Sequence, residues 1–179
     1  MTVHVLVVCT ANRCRSPMAE ALLRRRLPAL DVTSAGLLEA GHPASGGSVR
    51  ALATRGVDLG EHRSRQLDAD AVMDADLVIA MARSHLRDVV VADPRAFGRT
   101  FTLRELVRRG EVVGPARSFA GWLALVGEGR RTGDLLGDDP NDDIADPIGG
   151  PDVDYERTAA QIEDLVERLG RLLEGVVEV

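Results

Sequence analysis

The stretch Val3-His4-Val5-Leu6-Val7-Val8-Cys9-Thr10-Ala11-Asn12-Arg13-Cys14-Arg15-Ser16-Pro17 decides the fold. Its first six residues are almost continuously apolar, the pattern of a strand buried on both faces of a parallel sheet. Ser16 is a candidate N-cap and Pro17 suits a first helical position, so a helix is expected over Pro17–Leu27. A strand, a tight loop and a helix N-terminus in succession aim backbone N–H groups and a positive helix end at one point. Such a point binds anions. A sulfur placed there, at Cys9, is favoured as the nucleophilic thiolate with a phosphate-sized hollow in front of it. The residues point to phosphoryl transfer with Cys9 as the attacking group.

A second piece lies far downstream in Asp142-Asp143-Ile144-Ala145-Asp146-Pro147-Ile148-Gly149-Gly150-Pro151. An oxygen leaving group needs a proton, and a loop carboxylic acid can supply it. Pro147 stiffens the loop after Asp146, and the glycines let it turn close to a ligand. Asp93-Pro94 is a competing Asp-Pro pair, read as the end of the helix before it.

Between these pieces, strands and helices alternate. Strands are expected over Val32–Ala35, Leu77–Ala80 and Arg99–Thr102. Helices are expected over Ser48–Arg55 with Gly56 as C-cap, Leu67–Met73, Ser84–Val91, Leu103–Arg109 ending at Gly110, and Ser118–Val126. The clearest amphipathic helix is Tyr155–Leu173, with Ile162, Leu165, Val166, Leu169 and Leu172 as its stripe. In the first helix Met18, Leu22 and Leu23 form the apolar face, while Glu20 and Arg24-Arg25-Arg26 are read as facing water. This alternation predicts an α/β fold, a parallel sheet with helices on both faces. Ligands bind such sheets beyond the carboxyl ends of the strands, where Cys9 falls.

With 179 residues, 45% of them hydrophobic and 28% charged, the chain is expected to form one domain over residues 1–179. A net charge of −6 argues against general nucleic-acid binding. All 22 basic residues are Arg. Without Lys there is neither a Gly-Lys-Ser/Thr nucleotide loop nor a lysine for pyridoxal phosphate. No apolar run reaches the length of a membrane span, and the N-terminus lacks the basic region of a signal peptide. Two cysteines in one loop are not a secreted disulfide framework, so a cytoplasmic location is expected. His4, His42, His62 and His85 form no close pair, and Asp138, Asp139, Asp142 and Asp143 do not follow a calcium-loop spacing. No metal or cofactor is expected.

Together the Cys9 loop and the Asp146-Pro147 loop resemble those of the low-molecular-weight protein tyrosine phosphatase family. Thr33-Ser34-Ala35-Gly36, Gly41-His42-Pro43-Ala44, His62-Arg63-Ser64-Arg65-Gln66-Leu67 and Asp76-Leu77-Val78-Ile79-Ala80-Met81 follow in the family's order. The stretch Arg109–Asp142 is longer than usual. The resemblance implies a three-layer αβα sandwich with four parallel strands in order 2-1-3-4.

It also implies a mechanism. Thr10, Ala11, Asn12, Arg13, Cys14, Arg15 and Ser16 surround the phosphate, with Arg15 as a bidentate fork. Cys9 attacks phosphorus, and Asp146 protonates the leaving oxygen and then activates water. Ser16 donates to the thiolate. Asn12, expected in a left-handed conformation, bonds Ser34 to support the loop. Cys14 matches a redox-protecting cysteine. Protein phosphotyrosine is the first substrate choice, ahead of phosphoarginine and of a small phosphorylated metabolite. Ile148 stands where the family has Tyr or Phe, Leu37–Ala40 lacks an aromatic wall, and Arg13 replaces a small or aliphatic residue. Arsenate reduction on the same fold is a rival, though Cys9 and Cys14 are the only two thiols. A non-catalytic anion-binding domain is the other.

Overall fold

A computed structural model describes residues 2–136 and 139–176. Asp138 lies outside the described residues. The strands are β1 (Val3–Cys9), β2 (Leu30–Gly36), β3 (Leu77–Ala80) and β4 (Thr100–Thr102). The helices are α1 (Arg15–Arg26), α2 (Gly46–Ala53), α3 (Ala69–Asp74), α4 (Arg83–Ala92), α5 (Leu103–Val113), α6 (Phe119–Gly127) and α7 (Asp152–Leu173). Short 3-10 turns cover Pro94–Arg99 and Thr132–Leu135.

The sheet has the order β2-β1-β3-β4, and every pairing is parallel. β1 is central, with Val8 opposite Ala35 on one side and Ala80 on the other. Its side chains alternate between two cores, as the period of a strand requires. Val5, Val7 and Cys9 join the larger core, with Met18 and Leu22 of α1, Leu106 of α5 and the α7 stripe. Leu6 and Val8 join the smaller one, with Val72, Ala75 and Val89. This is the three-layer sandwich, and the burial of both β1 faces explains its unbroken apolar run. No helix of the described residues is long and apolar enough to cross a membrane.

Several boundaries differ from those expected. α1 begins at Arg15, with Cys14 in the N-cap position, so Ser16 is not the cap and Pro17 is the third helical residue. Proline is tolerated there because the first-turn N–H groups have no intrahelical acceptor in any case. α2 begins at Gly46 behind the N-cap Ser45, and Gly56 lies past its end. α5 runs through Gly110 to Val113, where Gly114 (φ 73°) caps it. Gly110 is there for contact: a Cβ on it would stand 2.8 Å from Trp122 Cζ2 and 2.9 Å from Leu172 Cδ1.

The arginine run is not a freely solvated face. Arg25 and Arg26 pair with Glu163 and Glu167 and tie α1 to α7. Glu20 does not face water either; it is buried, with Arg24 Nη2 at 2.7 Å.

The stretch between α5 and α7 is packed rather than loose. Trp122 is fully buried. The Arg130 guanidinium lies 4.6 Å from the Phe97 ring centre and 4.0 Å from that of Phe101, and pairs with Glu105 at 2.8 Å. Burial of Arg130 pulls its pKa below the ordinary arginine value, against the opposing pull of Glu105.

Candidate active site

β1 ends at Cys9, which pairs with Gly36 at the end of β2. The chain then turns through Thr10–Cys14 into α1. The turn requires Asn12 at φ 52°, the only non-glycine with positive φ among the described residues. Asn bears that conformation better than most side chains. Gly36 lets the loop lie against β2: a Cβ there would come within 2.6 Å of Asn12 N. Leu37 N and Leu38 N both donate to the Thr10 carbonyl, at 2.7 and 3.0 Å.

Asn12 is the buried keystone of the loop. Its Nδ2 donates to Ser34 Oγ at 2.6 Å and Ser16 Oγ at 2.9 Å. Its Oδ1 accepts from Arg65 N at 2.9 Å, and its carbonyl accepts from His62 Nε2 at 2.7 Å. Ser34 in turn donates to the buried Glu20 carboxylate. The expected Asn12–Ser34 bond is present. Glu20, His62 and Arg65 are supports that the sequence reading did not assign.

Ser16 Oγ lies 3.0 Å from Cys9 Sγ. Asn12 donates to that oxygen as well, and with Cys9 as the thiolate the Ser16 hydroxyl is the donor of the pair, which stabilises the negative charge.

Arg15 is buried and joins the two halves of the site. Its Nη1 donates to the Ile144 carbonyl at 3.0 Å, and its Nη2 to Asp146 Oδ2 at 2.5 Å and Thr10 Oγ1 at 3.2 Å. Its Nε is buried without a hydrogen-bond partner. A forked cation with a free donor, bonded within the loop that begins at Cys9, suits an oxyanion.

The loop that carries Asp146 is anchored just beyond β3. Ile144 N donates to the Met81 carbonyl at 2.9 Å, and Asp143 Oδ1 accepts from Arg83 N at 2.7 Å. Asp143 therefore fixes the loop that carries Asp146. Asp146 itself remains partly open, with Oδ1 accepting from Ile148 N at 3.2 Å. Leu38 and Ile148, whose backbone N–H groups bond Thr10 and Asp146, carry exposed aliphatic side chains.

His85 was not expected here. Its Nε2 lies 2.9 Å from Thr10 Oγ1. Arg15 donates to the same Thr10 oxygen at 3.2 Å, and His85 Nδ1 is buried without a hydrogen-bond partner. Burial first, then the neighbouring Arg15 charge, push its pKa from 6.5 down to about 4, partly opposed by Asp146.

Cys14 is buried and donates from Sγ to Ser45 Oγ at 3.1 Å. Burial raises its thiol pKa, against the lowering effect of Ser45 and Ser48. Both cysteines are free thiols. The Arg13 Nε donates to the Pro43 carbonyl at 3.0 Å, on the rim of the loop. Among the described residues no group of three or more His, Cys, Asp or Glu side chains could hold a metal. Grooves of about 460 Å³ beside Glu20 and His62, and about 680 Å³ between α5 and α7, do not include Cys9.

A four-stranded parallel sandwich with cysteine, arginine and aspartate meeting at the end of its first strand defines a class of cysteine-dependent phosphatases. The sequence model of the low molecular weight phosphotyrosine protein phosphatase matches residues 4–115, and the chain belongs to that family. It is 43% identical over 103 residues to the probable low molecular weight protein-tyrosine-phosphatase EpsP of Ralstonia solanacearum, covering 57% of this chain and 71% of that one. It is 35% identical over 176 residues to a protein-arginine-phosphatase of Geobacillus stearothermophilus, covering 97% and 98%. The solved YwlE arginine phosphatase from Geobacillus stearothermophilus superposes with a TM-score of 0.74 at 34% identity, covering 96% of this chain and 93% of that one.

Proposed function

We propose that the protein hydrolyses phosphotyrosine on proteins through a cysteinyl-phosphate intermediate. The observation that carries this reading is the convergence of Cys9, Ser16, Arg15 and Asp146 at one end of the sheet. Arg15 turns from Asp146 to the phosphate oxygens, which it and the amides of Thr10–Ser16 hold. The Cys9 thiolate attacks phosphorus in line. The S–P bond forms as the P–O bond breaks, and the proton of Asp146 goes to the leaving oxygen. Asp146, now a carboxylate, takes a proton from water as that water attacks phosphorus. The S–P bond breaks and the thiolate returns. The positive charge the transition state needs is that of Arg15.

The test is p-nitrophenyl phosphate hydrolysis in excess chelator, wild type against Cys9→Ser. Turnover that survives chelation and is lost in Cys9→Ser supports the reading. Activity retained in Cys9→Ser overturns it.

Phosphoarginine is the second reading, favoured by the aliphatic Leu38 and Ile148 where aromatic walls would flank a tyrosine ring. The Geobacillus relative named for that activity is similar over nearly the whole chain. The kcat/KM ratio for matched phosphotyrosine and phosphoarginine peptides decides between them.

The reading carries Cys14 as a redox partner for Cys9 and a reducing cytoplasmic setting that keeps both thiols available. One domain spans the chain in this account.

A further inference from the structure

Beside the acid loop lies a cavity of about 170 Å³ with more arginines than carboxylates in its walls. Arg83, Arg108, Arg109, Arg130 and Arg131 line it, against the carboxylates of Glu105, Asp134 and Asp142. Arg130 is held by Glu105, and Arg109 by the carbonyls of Val126 and Glu128. Arg108 holds Asp142 at 2.7 Å.

Arg83 is different. Its side chain is only 15% exposed, and its one ion pair among the described residues is a long 3.9 Å contact with Asp142. Its guanidinium makes no hydrogen bond among the described residues. It is also the first residue of α4, where the positive helix end disfavours a cation. The Arg131 guanidinium likewise forms no ion pair among the described residues. Two cations with donors to offer therefore border one cavity.

We infer that this cavity is a second anion site, taking a compact phosphate-class oxyanion such as pyrophosphate between Arg83 and Arg131. Planar guanidinium forks suit such an ion, and it answers the excess positive charge of the walls.

The site is wired to the acid loop. The Arg83 backbone holds Asp143, Asp142 shares Arg83 and Arg108, and the next residue, Ile144, gives its carbonyl to Arg15. An oxyanion that takes the donors of Arg83 competes directly with Asp142, and so alters the tether of the segment that ends in Asp146. The inference goes beyond the proposed hydrolysis, because the cavity binds its ligand whether or not the Cys9 loop turns over substrate.

The experiment is a pyrophosphate titration of the isotopically labelled full chain, followed by amide NMR. The amides of Arg83, Leu135 and Asp142 should shift along a saturable isotherm distinct from that of Thr10–Ser16. Arg83→Gln should weaken the cavity isotherm about ten-fold or more, the loss expected for a charge-assisted bond. Arg131→Gln, at an exposed position, should weaken it as well and carries the test should Arg83→Gln not fold. The Thr10–Ser16 isotherm reports the proposed phosphate loop separately. Shifts confined to Thr10–Ser16, or a cavity isotherm unchanged in the folded variants, overturn the inference.

Discussion

Arg15 Nη2 and Asp146 Oδ2 lie 2.5 Å apart although 131 residues separate them in the chain. The cation proposed to hold phosphate and the carboxyl proposed to protonate the leaving group are thus bonded to each other. Arg15→Lys keeps the charge but loses the fork and the bond to the Ile144 carbonyl. It should lower kcat/KM for p-nitrophenyl phosphate by about 10²-fold or more, by analogy with removal of one transition-state donor. Steady-state kinetics check this; a loss under ten-fold would mean that Arg15 mainly braces the acid loop.

Asp146→Ala should lower kcat by about 10²- to 10⁴-fold for a substrate with a poor leaving group, the usual contribution of a general acid. The loss should be smaller for p-nitrophenyl phosphate, whose leaving group needs a proton less. Equal losses on the two substrates would assign Asp146 to orientation instead.

Asn12→Ala removes a buried side chain that serves Ser16, Ser34 and the Arg65 amide together. Each partner left unsatisfied costs about 1–3 kcal/mol. The variant should unfold at clearly lower urea and lose kcat, since Ser16 is no longer oriented to Cys9. Unchanged stability would show that water replaces the amide.

His85 links stability to pH. Its folded pKa, about 4, lies below the unfolded 6.5, so in that window the unfolded chain binds more protons. Stability from this group is complete above pH 6.5, falls as pH drops toward 4, and falls no further below that. The shift corresponds to about 3 kcal/mol. Urea midpoints of His85→Gln should depend less on pH across the window than those of wild type, and an identical pH dependence would contradict this.

Peroxide treatment followed by mass mapping should find Cys9 and Cys14 crosslinked, the step in which a Cys14 thiolate attacks an oxidised Cys9. Because burial raises the Cys14 pKa, the crosslink should form faster as pH rises. Inactivation without it removes the redox role from Cys14.

The parts legible in the sequence were those that chain continuity determines. The apolar run through Val8 into Cys9 already placed a sulfur at a strand end, and the α7 stripe from Ile162 to Leu172 had a clear period. The strand order came through family resemblance, because nothing local says that β3 rather than β2 follows on the far side of β1. Long-range contacts were not legible. Glu20, four residues before Arg24, has the spacing of a surface pair, and only Ser34 from β2 makes it a buried one. His85, 75 residues on in the chain, belongs to the site because its ring meets the Thr10 hydroxyl that Arg15 also bonds. Gly110 has the look of a helix stop until Trp122 packs on it.

The most direct test of the account is to quench a turning-over reaction in acid and map where phosphate is covalently held. Phosphate on Cys9, accumulating as substrate is supplied and absent from Cys9→Ser, is the predicted result. Phosphate on another residue, or full turnover with no phosphoenzyme at any time, would contradict it.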